Sequence, residues 1–369
     1  MTRSARSLGV LLLCTATLSC AAAPPPRATP ASPPSQPRTG PDATKPPVAR
    51  DASSQAPRVR LIATGGTISN RTGGRLTAEG LVNLIPDLRR YATPEYEQFT
   101  NLASSQLTLE HWLNLSRRLN ELFTSDPQLA GVVVTSGTDT LEELAYFLNL
   151  TVRDARPVAV VGSMRNPSTI GYEGAANLLE GFRVAGDPTS RGRGVVVVLN
   201  DEINAAREVT KTDALRLQTF QTRGYGVLGV IDRDRVVYYR QVERRHTVDS
   251  EFDISAVTAL PRVDVLLTYQ GASGDLIKSA IDAGAKGIVL ATAGAGATSG
   301  TQDEGQRYAA SKGVPVVITT RAGSGRISAA GRTSIAGQDL SPIKARILLM
   351  VALTKTSDLN ELRRIFVEY

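Results

Sequence analysis

The stretch "VRLIATGGTISN", residues 59–70, contains the first strand-like run of this chain and the turn that follows it. Its first half is a run of mainly branched aliphatic residues, which is typical of a buried β-strand. The run ends in Thr-Gly-Gly-Thr, where Gly65 and Gly66 can adopt positive φ and turn the chain sharply. Thr67 then stands free at the strand end beside backbone N–H groups. By itself the stretch fits either a plain turn or a loop that presents a nucleophile.

The same pattern of apolar run, turn residues and amphipathic segment recurs along the chain. Uninterrupted apolar runs that alternate with helical segments indicate parallel strands buried on both faces. We therefore predict an α/β protein of two domains, each an open, mainly parallel sheet with flanking helices. The further runs are "GVVVT" (131–135), "PVAVVG" (157–162), "GVVVVL" (194–199), "VDVLLTY" (263–269), "GIVLAT" (287–292) and "VPVVITT" (314–320).

The predicted domains are an N-terminal catalytic α/β domain over 58–245 and a C-terminal α/β domain over 263–369. The polar, hairpin-like stretch that follows Leu228 ends in a linker over 246–262. Two helix starts are visible in the sequence. Thr140 and Glu143 have the spacing of a capping box, and Ser341 precedes a proline as a helix cap.

The first 57 residues have a different composition. Two arginines and the apolar core "LGVLLLCTATL" predict a signal peptide over 1–19, too short to be a stable membrane anchor. Residues 20–57 then form a tether, because 11 of the 20 prolines lie there and such a composition cannot bury a core. The order Thr-Leu-Ser-Cys at 17–20 resembles the lipobox of bacterial lipoproteins, with threonine where leucine is usual. We therefore expect an exported, periplasmic protein anchored by a lipid at Cys20; an ordinary cleavage site with an incidental cysteine is the alternative.

The net charge of +7 does not indicate a nucleic-acid partner. Six basic and two acidic side chains within residues 1–57 account for +4, which leaves +3 for the remainder. That remainder has no basic stripe with interleaved aromatic residues. Both cysteines, Cys14 and Cys20, precede the folded part, so a cysteine-based metal site is not expected there. The glycine-rich "TAGAGATSG" (292–300) has Ser299 in the third glycine position of a dinucleotide fingerprint, which argues against a nucleotide cofactor.

Hydroxyl and charged residues follow the strands of the first domain. Ligands of open α/β sheets bind outside the carboxyl ends of the strands. Thr138 and Asp139 lie there in "TSGTDT", and Lys211 lies in "VTKTD". A threonine hydroxyl needs a neighbouring base or a desolvated lysine to act as a nucleophile, and these residues could supply one to Thr67. The alternative is that Asp139 caps a helix and Lys211 is a surface charge.

Four segments together resemble a known family. The segments "ATGGTIS", "VVVTSGTDTLEELAYFL", "VVGSMR" and "REVTKTD" resemble, in order and spacing, the signature segments of the bacterial-type L-asparaginase/glutaminase family, and the resemblance extends to the final "RIFVEY". It implies a secreted, type II-like enzyme that hydrolyses the side-chain amide of asparagine to aspartate and ammonia through a threonine acyl-enzyme, with glutamine as a further substrate. It also implies a homotetramer, a dimer of dimers, and a reaction without metal or organic cofactor.

The resemblance assigns roles to individual residues. Thr67 matches the nucleophile, and Thr138, Asp139 and Lys211 match the second threonine, the acid and the lysine of the activating group. Asp139 also matches the carboxylate that holds the substrate α-ammonium.

Three serines complete the expected substrate site. Ser104 matches the serine that binds the substrate α-carboxylate. Ser105 stands where a glutamine usually helps to hold the ammonium. Ser163 replaces an alanine at a backbone position that holds the leaving amide.

The chain also departs from the family pattern. Arg71 occupies the place of a loop tyrosine that closes over the nucleophile, and Gly271 appears where some relatives have asparagine. No acidic residue clearly matches the one that a neighbouring subunit often lends. Arg71 either points to water or folds inward beside Ser104 to contact the α-carboxylate. These gaps leave a second hypothesis open, a tethered periplasmic amino-acid-binding module with little turnover.

Overall fold

The computed structural model describes residues 55–369. The predicted signal peptide, Cys20 and nearly all of the tether lie outside this range. Within it, the strands are β1 (Arg58–Gly65), β2 (Asn70–Arg71), β3 (Gly74–Arg75), β4 (Thr93–Leu102), β5 (Gly131–Thr135), β6 (Val158–Val161), β7 (Val195–Leu199), β8 (Glu202–Ala205), β9 (Thr210–Lys211), β10 (Phe220–Gln221), β11 (Gly229–Ile231), β12 (Val236–Tyr238), β13 (Val263–Leu267), β14 (Gly287–Thr292), β15 (Val316–Thr320) and β16 (Ser334–Ala336).

Helices flank these strands. The α-helices are α1 (Ala78–Val82), α2 (Leu109–Ser125), α3 (Leu141–Thr151), α4 (Gly174–Gly186), α5 (Asp275–Asp282), α6 (Gln302–Ser311), α7 (Pro342–Ala352) and α8 (Leu359–Glu368). Short 3₁₀ turns cover Thr67–Ser69, Leu88–Arg90, Ser104–Gln106, Pro188–Ser190 and Thr247–Asp249.

The larger sheet has the strand order β12-β11-β8-β7-β6-β5-β1-β4. Strands β4, β1, β5, β6 and β7 are parallel, as the apolar runs predict. From β8 onward the pairing is antiparallel, so the sheet is mixed. The change of direction comes from a tight turn, because Asn200 and Asp201 both have positive φ, 54° and 64°, the conformation of a two-residue hairpin turn.

The smaller sheet is parallel throughout, in the order β13-β14-β15-β16. The two sheets share one apolar core, to which Val132 of β5, Val289 of β14 and Leu348 of α7 all belong. The segment predicted as a linker joins the same core through buried Phe252 and Ile254. The two sheets therefore belong to one continuously packed unit, and the domain boundaries at 245 and 263 stay a prediction.

The two predicted helix starts have different outcomes. Ser341 caps α7 by accepting a hydrogen bond from the Lys344 N–H at 3.4 Å, which confirms the prediction. The capping box at α3 is wrong, since the Thr140 side chain makes no capping hydrogen bond. The Glu143 carboxylate instead lies 3.7 Å from the Arg346 guanidinium of α7. A charge partner on the facing helix has displaced the local cap.

Candidate active site

Three loops meet at the carboxyl ends of β1, β4 and β5. Gly65 and Gly66 have φ of 109° and 88°, and a Cβ on Gly66 would lie 2.2 Å from the backbone nitrogen of Gly137. A Cβ on Gly65 would lie 2.4 Å from the Leu102 carbonyl oxygen. Only glycine fits these two positions, because both the backbone angle and the space exclude a side chain. The close backbone packing brings the loops of Thr67, Thr138 and Ser104 together.

Thr67 begins the 3₁₀ turn Thr67–Ser69 directly after this glycine pair. The turn is closed by the Ser69 hydroxyl, which donates to the Gly66 carbonyl at 3.0 Å. Thr67 is half-buried while Ile68 and Ser69 are buried. Among residues 55–369 no group hydrogen-bonds the Thr67 hydroxyl, so it is available to a ligand.

Lys211 lies on β9, in a short hairpin with β10 outside the large sheet. Its Nζ donates to Thr138 Oγ1 at 3.0 Å and lies 3.2 Å from Asp139 Oδ1. The Lys211 side chain is 16% exposed, whereas that of Asp139 is 71% exposed. Lys211 is therefore not a free surface charge, and Thr140 rather than Asp139 is the N-cap residue of α3.

Glu142 was not predicted from the sequence. Its buried carboxylate accepts hydrogen bonds from the Lys211 N–H and the Thr210 hydroxyl, both at 3.0 Å. These bonds attach the lysine hairpin to the first turn of α3, the helix that follows Thr138 and Asp139. The available signal was an acid in the first helical turn, which is also the usual pattern for stabilising a helix dipole.

The predicted serines occupy different environments. Ser104 is buried, and its Oγ accepts a hydrogen bond from the Thr140 N–H at 3.3 Å. Ser163 is also buried and donates its hydroxyl to the Arg165 carbonyl at 2.6 Å. Its side chain is thus engaged within its own loop. Ser105 is exposed.

Arg71 lies in the small hairpin of β2 and β3, and its side chain is exposed. The sequence allowed two orientations of Arg71, toward water or inward beside Ser104. The structure has the one toward water. Gly271 is exposed in the turn after β13, with φ of 74°.

A cavity of about 420 Å³ lies beside the lysine hairpin and is lined by Asp139, Glu142, Lys211, Thr212, Asp213 and Ala214. Its volume is within the range of small-molecule sites. In the part of the chain from residue 55 onward, no group of three or more His, Cys, Asp or Glu side chains could hold a metal ion. The same part contains no helix that is long and apolar enough to cross a membrane.

Two family models match this chain. Residues 58–244 match the family model described as "Asparaginase, N-terminal", and residues 262–366 match "Glutaminase/Asparaginase C-terminal domain". The chain belongs to the asparaginase/glutaminase family. The match covers both sheets and all the segments that contain the predicted site residues.

Relatives in this family align over most of their length. L-asparaginase 2 of Bacillus subtilis (strain 168) is 41% identical over 327 residues, which are 85% of this chain and 87% of the relative. Glutaminase-asparaginase of Pseudomonas fluorescens biotype A is 36% identical over 336 residues, 86% and 92% of the two chains. A crystal structure of a probable cytoplasmic L-asparaginase from Campylobacter jejuni superposes with a TM-score of 0.82 at 37% identity and covers 85% of this chain and 100% of that one.

Proposed function

We propose that this chain is an L-asparagine amidohydrolase that forms L-aspartate and ammonia through an acyl-enzyme at Thr67. The observation that supports it most is the hydrogen bond of 3.0 Å from Lys211 Nζ to Thr138 Oγ1, in a loop that packs backbone to backbone against the Thr67 turn. A threonine nucleophile requires such an activating partner.

The reaction proceeds in two halves. The Thr67 hydroxyl oxygen attacks the side-chain amide carbon. Its proton passes to Thr138 Oγ1, and the Thr138 proton passes to the unprotonated amine of Lys211. Backbone N–H groups near Thr67 and Thr138 stabilise the oxyanion of the tetrahedral intermediate. The proton is returned to the amide nitrogen, the C–N bond breaks and ammonia leaves. Water then attacks the ester, releases aspartate and restores the threonine hydroxyl.

The substrate is oriented by its α-substituents. The exposed Asp139 carboxylate binds the α-ammonium, and the Ser104 hydroxyl binds the α-carboxylate, with Ser105 beside it. The backbone of Ser163 holds the leaving amide. Glutamine, which is one methylene longer, is a second substrate of the same site; the name of the Pseudomonas relative, glutaminase-asparaginase, supports this.

Ammonia release separates this function from an amino-acid-binding module. We expect purified residues 55–369 to release ammonia from asparagine, and also from glutamine, with saturation kinetics. A coupled ammonia assay on both substrates measures this. A thermal shift with asparagine, without ammonia release, would instead establish the binding module.

We also propose a homotetramer in which the second domain of one subunit borders the site of another. Two large apolar side chains on loops near the site are nearly fully exposed in the single chain, Ile170 at 98% and Leu215 at 86%. A partner subunit seated on these loops would bury both side chains. Sedimentation velocity should give a species of four chains, and a monomer that is fully active would contradict the proposal.

The chain is further proposed to be exported and attached to the membrane through a lipid on Cys20. Cys20→Ala should move the protein from the membrane fraction to the soluble periplasmic fraction, since the acylated thiol is lost. Cys14→Ala is the matched control. Cys14 lies within the predicted signal peptide, so its substitution should leave fractionation unchanged. Equal fractionation of both variants would rule out the anchor.

A further inference from the structure

The segment after β6, residues 163–173, contacts the nucleophile turn and its hairpin at two points. The Tyr172 hydroxyl donates to the carbonyl oxygen of Ile68 at 2.9 Å. The backbone N–H of Thr72 donates to the Ser168 hydroxyl at 2.8 Å. Ile68 directly follows Thr67, so the first bond is fixed to the nucleophile's own turn.

The ring of Tyr172 is well seated. It is partly buried and packs against the apolar core that contains Ile68 and Phe182. A Cβ on Gly174 would lie 2.4 Å from the phenol oxygen, so the glycine leaves the space that this oxygen occupies. Burial raises the pKa of the Tyr172 phenol, which keeps it a hydrogen-bond donor at neutral and moderately alkaline pH.

Hydrogen bonds within the segment that bears Tyr172 join its two ends. The Glu173 carboxylate accepts hydrogen bonds from the backbone N–H groups of Met164 and Arg165. The Asn166 side-chain oxygen accepts from the Ser168 N–H at 2.9 Å and the Thr169 hydroxyl at 3.0 Å. A donor on this segment therefore has a fixed position relative to β6 and Ser163.

The nucleophile needs such support from outside its own turn. The Thr67 hydroxyl has no hydrogen-bond partner within residues 55–369, and the hairpin that follows has the exposed Arg71 where a tyrosine would close over the site. The direction of the Thr67 side chain thus depends on the peptide between Thr67 and Ser69. Tyr172 is the side chain that holds the Ile68 carbonyl of that turn.

We propose that Tyr172 is a positioning residue for Thr67, which it orients through the Ile68 carbonyl. The inference rests on the proposed function, because it assumes that Thr67 is acylated. Small displacements of a reacting group lower the rate of the chemical step more than ground-state binding, and a shift of about 1 Å can cost about 100-fold. Loss of one support should cost less than that.

Tyr172→Phe tests the proposal, since it removes the phenol oxygen and keeps the ring. We expect kcat for asparagine to fall about tenfold with KM within about twofold of the parent. The rate at which a diazo-ketone analogue of asparagine modifies Thr67 should fall by a similar factor. kcat is taken from ammonia release at saturating asparagine. The modification rate is measured at saturating analogue, with the modified peptide quantified by mass spectrometry.

Tyr238→Phe is the matched control. Tyr238 lies on β12, at the far edge of the same sheet. Its partly buried phenol donates to the Ser190 hydroxyl at 2.7 Å. This variant should lose as much thermal stability as Tyr172→Phe and keep the parent kcat and modification rate. A role in folding alone would move both variants together in stability and neither in kcat.

The outcomes are distinguishable. Parent values of kcat and modification rate in Tyr172→Phe would overturn the inference and leave the proposed function intact, as would an equal loss of kcat in both variants. A higher KM at unchanged kcat would also overturn it, since Tyr172 would then act on binding. A parent that neither releases ammonia nor forms an adduct on Thr67 would overturn the proposed function together with this inference.

Discussion

Thr67→Ala is expected to lower kcat for asparagine by about four to six orders of magnitude, the scale seen when a covalent nucleophile is removed. The change deletes the only atom that can form the acyl bond in the proposed reaction. It should change the free energy of unfolding by at most about 1 kcal/mol, because Thr67 is half-buried and its hydroxyl makes no hydrogen bond within the described residues. Steady-state ammonia release and urea unfolding measure the two quantities.

Thr124→Ala is a matched control for this experiment. Thr124 is an exposed threonine on α2, where its hydroxyl donates to the Asn120 carbonyl at 2.8 Å, and its loss should leave kcat unchanged.

Mass spectrometry after treatment with a diazo-ketone analogue should place the adduct on the Thr67 peptide. An adduct on Thr138 instead would reverse the roles of the two threonines.

Much of the fold could be predicted from the sequence because its central strands are buried on both faces. β5, β6 and β7 are uninterrupted apolar runs, and such runs have few alternatives to a parallel sheet between helix layers. The strands toward the two edges of the sheet have no such signal. β4 is ten residues of mixed polarity and only partly buried, and β11 and β12 have three residues each, too short for any periodicity to be read.

The candidate site shows the same division. The rule that ligands lie at strand ends predicted the proximity of Thr67 and Thr138, because β1 and β5 are neighbours in register. Lys211, predicted to join them, does so from a hairpin outside the large sheet, which Glu142 attaches to α3, and no sequence pattern indicated that attachment. Nor could sequence spacing reveal Tyr172, whose hydrogen bond to Ile68 joins residues 104 positions apart. Contacts of this kind depend on tertiary packing of loops, for which no local pattern exists.

A second large effect is expected when Lys211 is replaced by methionine. Two further variants, Lys211→Arg and Lys278→Met, are its controls. Lys211→Arg keeps the positive charge but replaces the amine with a guanidinium that stays protonated. Lys278→Met removes a lysine of α5 that pairs with Asp275 at 3.1 Å on the surface, and should leave kcat unchanged. If Lys211→Arg retains nearly full activity, Lys211 acts by its charge; if it is as slow as Lys211→Met, the neutral amine is needed.

Lys211→Met should lower kcat by about two to four orders of magnitude, the usual cost of losing a positioned general acid or base. The proton of the Thr67 hydroxyl must leave as the C–O bond forms, and Lys211 Nζ, 3.0 Å from Thr138 Oγ1, is the amine that receives it in the proposed mechanism. Folding should change little, because its ion partner Asp139 is 71% exposed and such pairs contribute about 0–1 kcal/mol. The Lys211 side chain is only 16% exposed, and methionine preserves the packing of its aliphatic stem. Ammonia release at saturating asparagine, with the melting temperature as a folding check, gives the result. A Lys211→Met enzyme with the parent kcat would exclude the lysine from catalysis and leave Thr138 to be activated by another group.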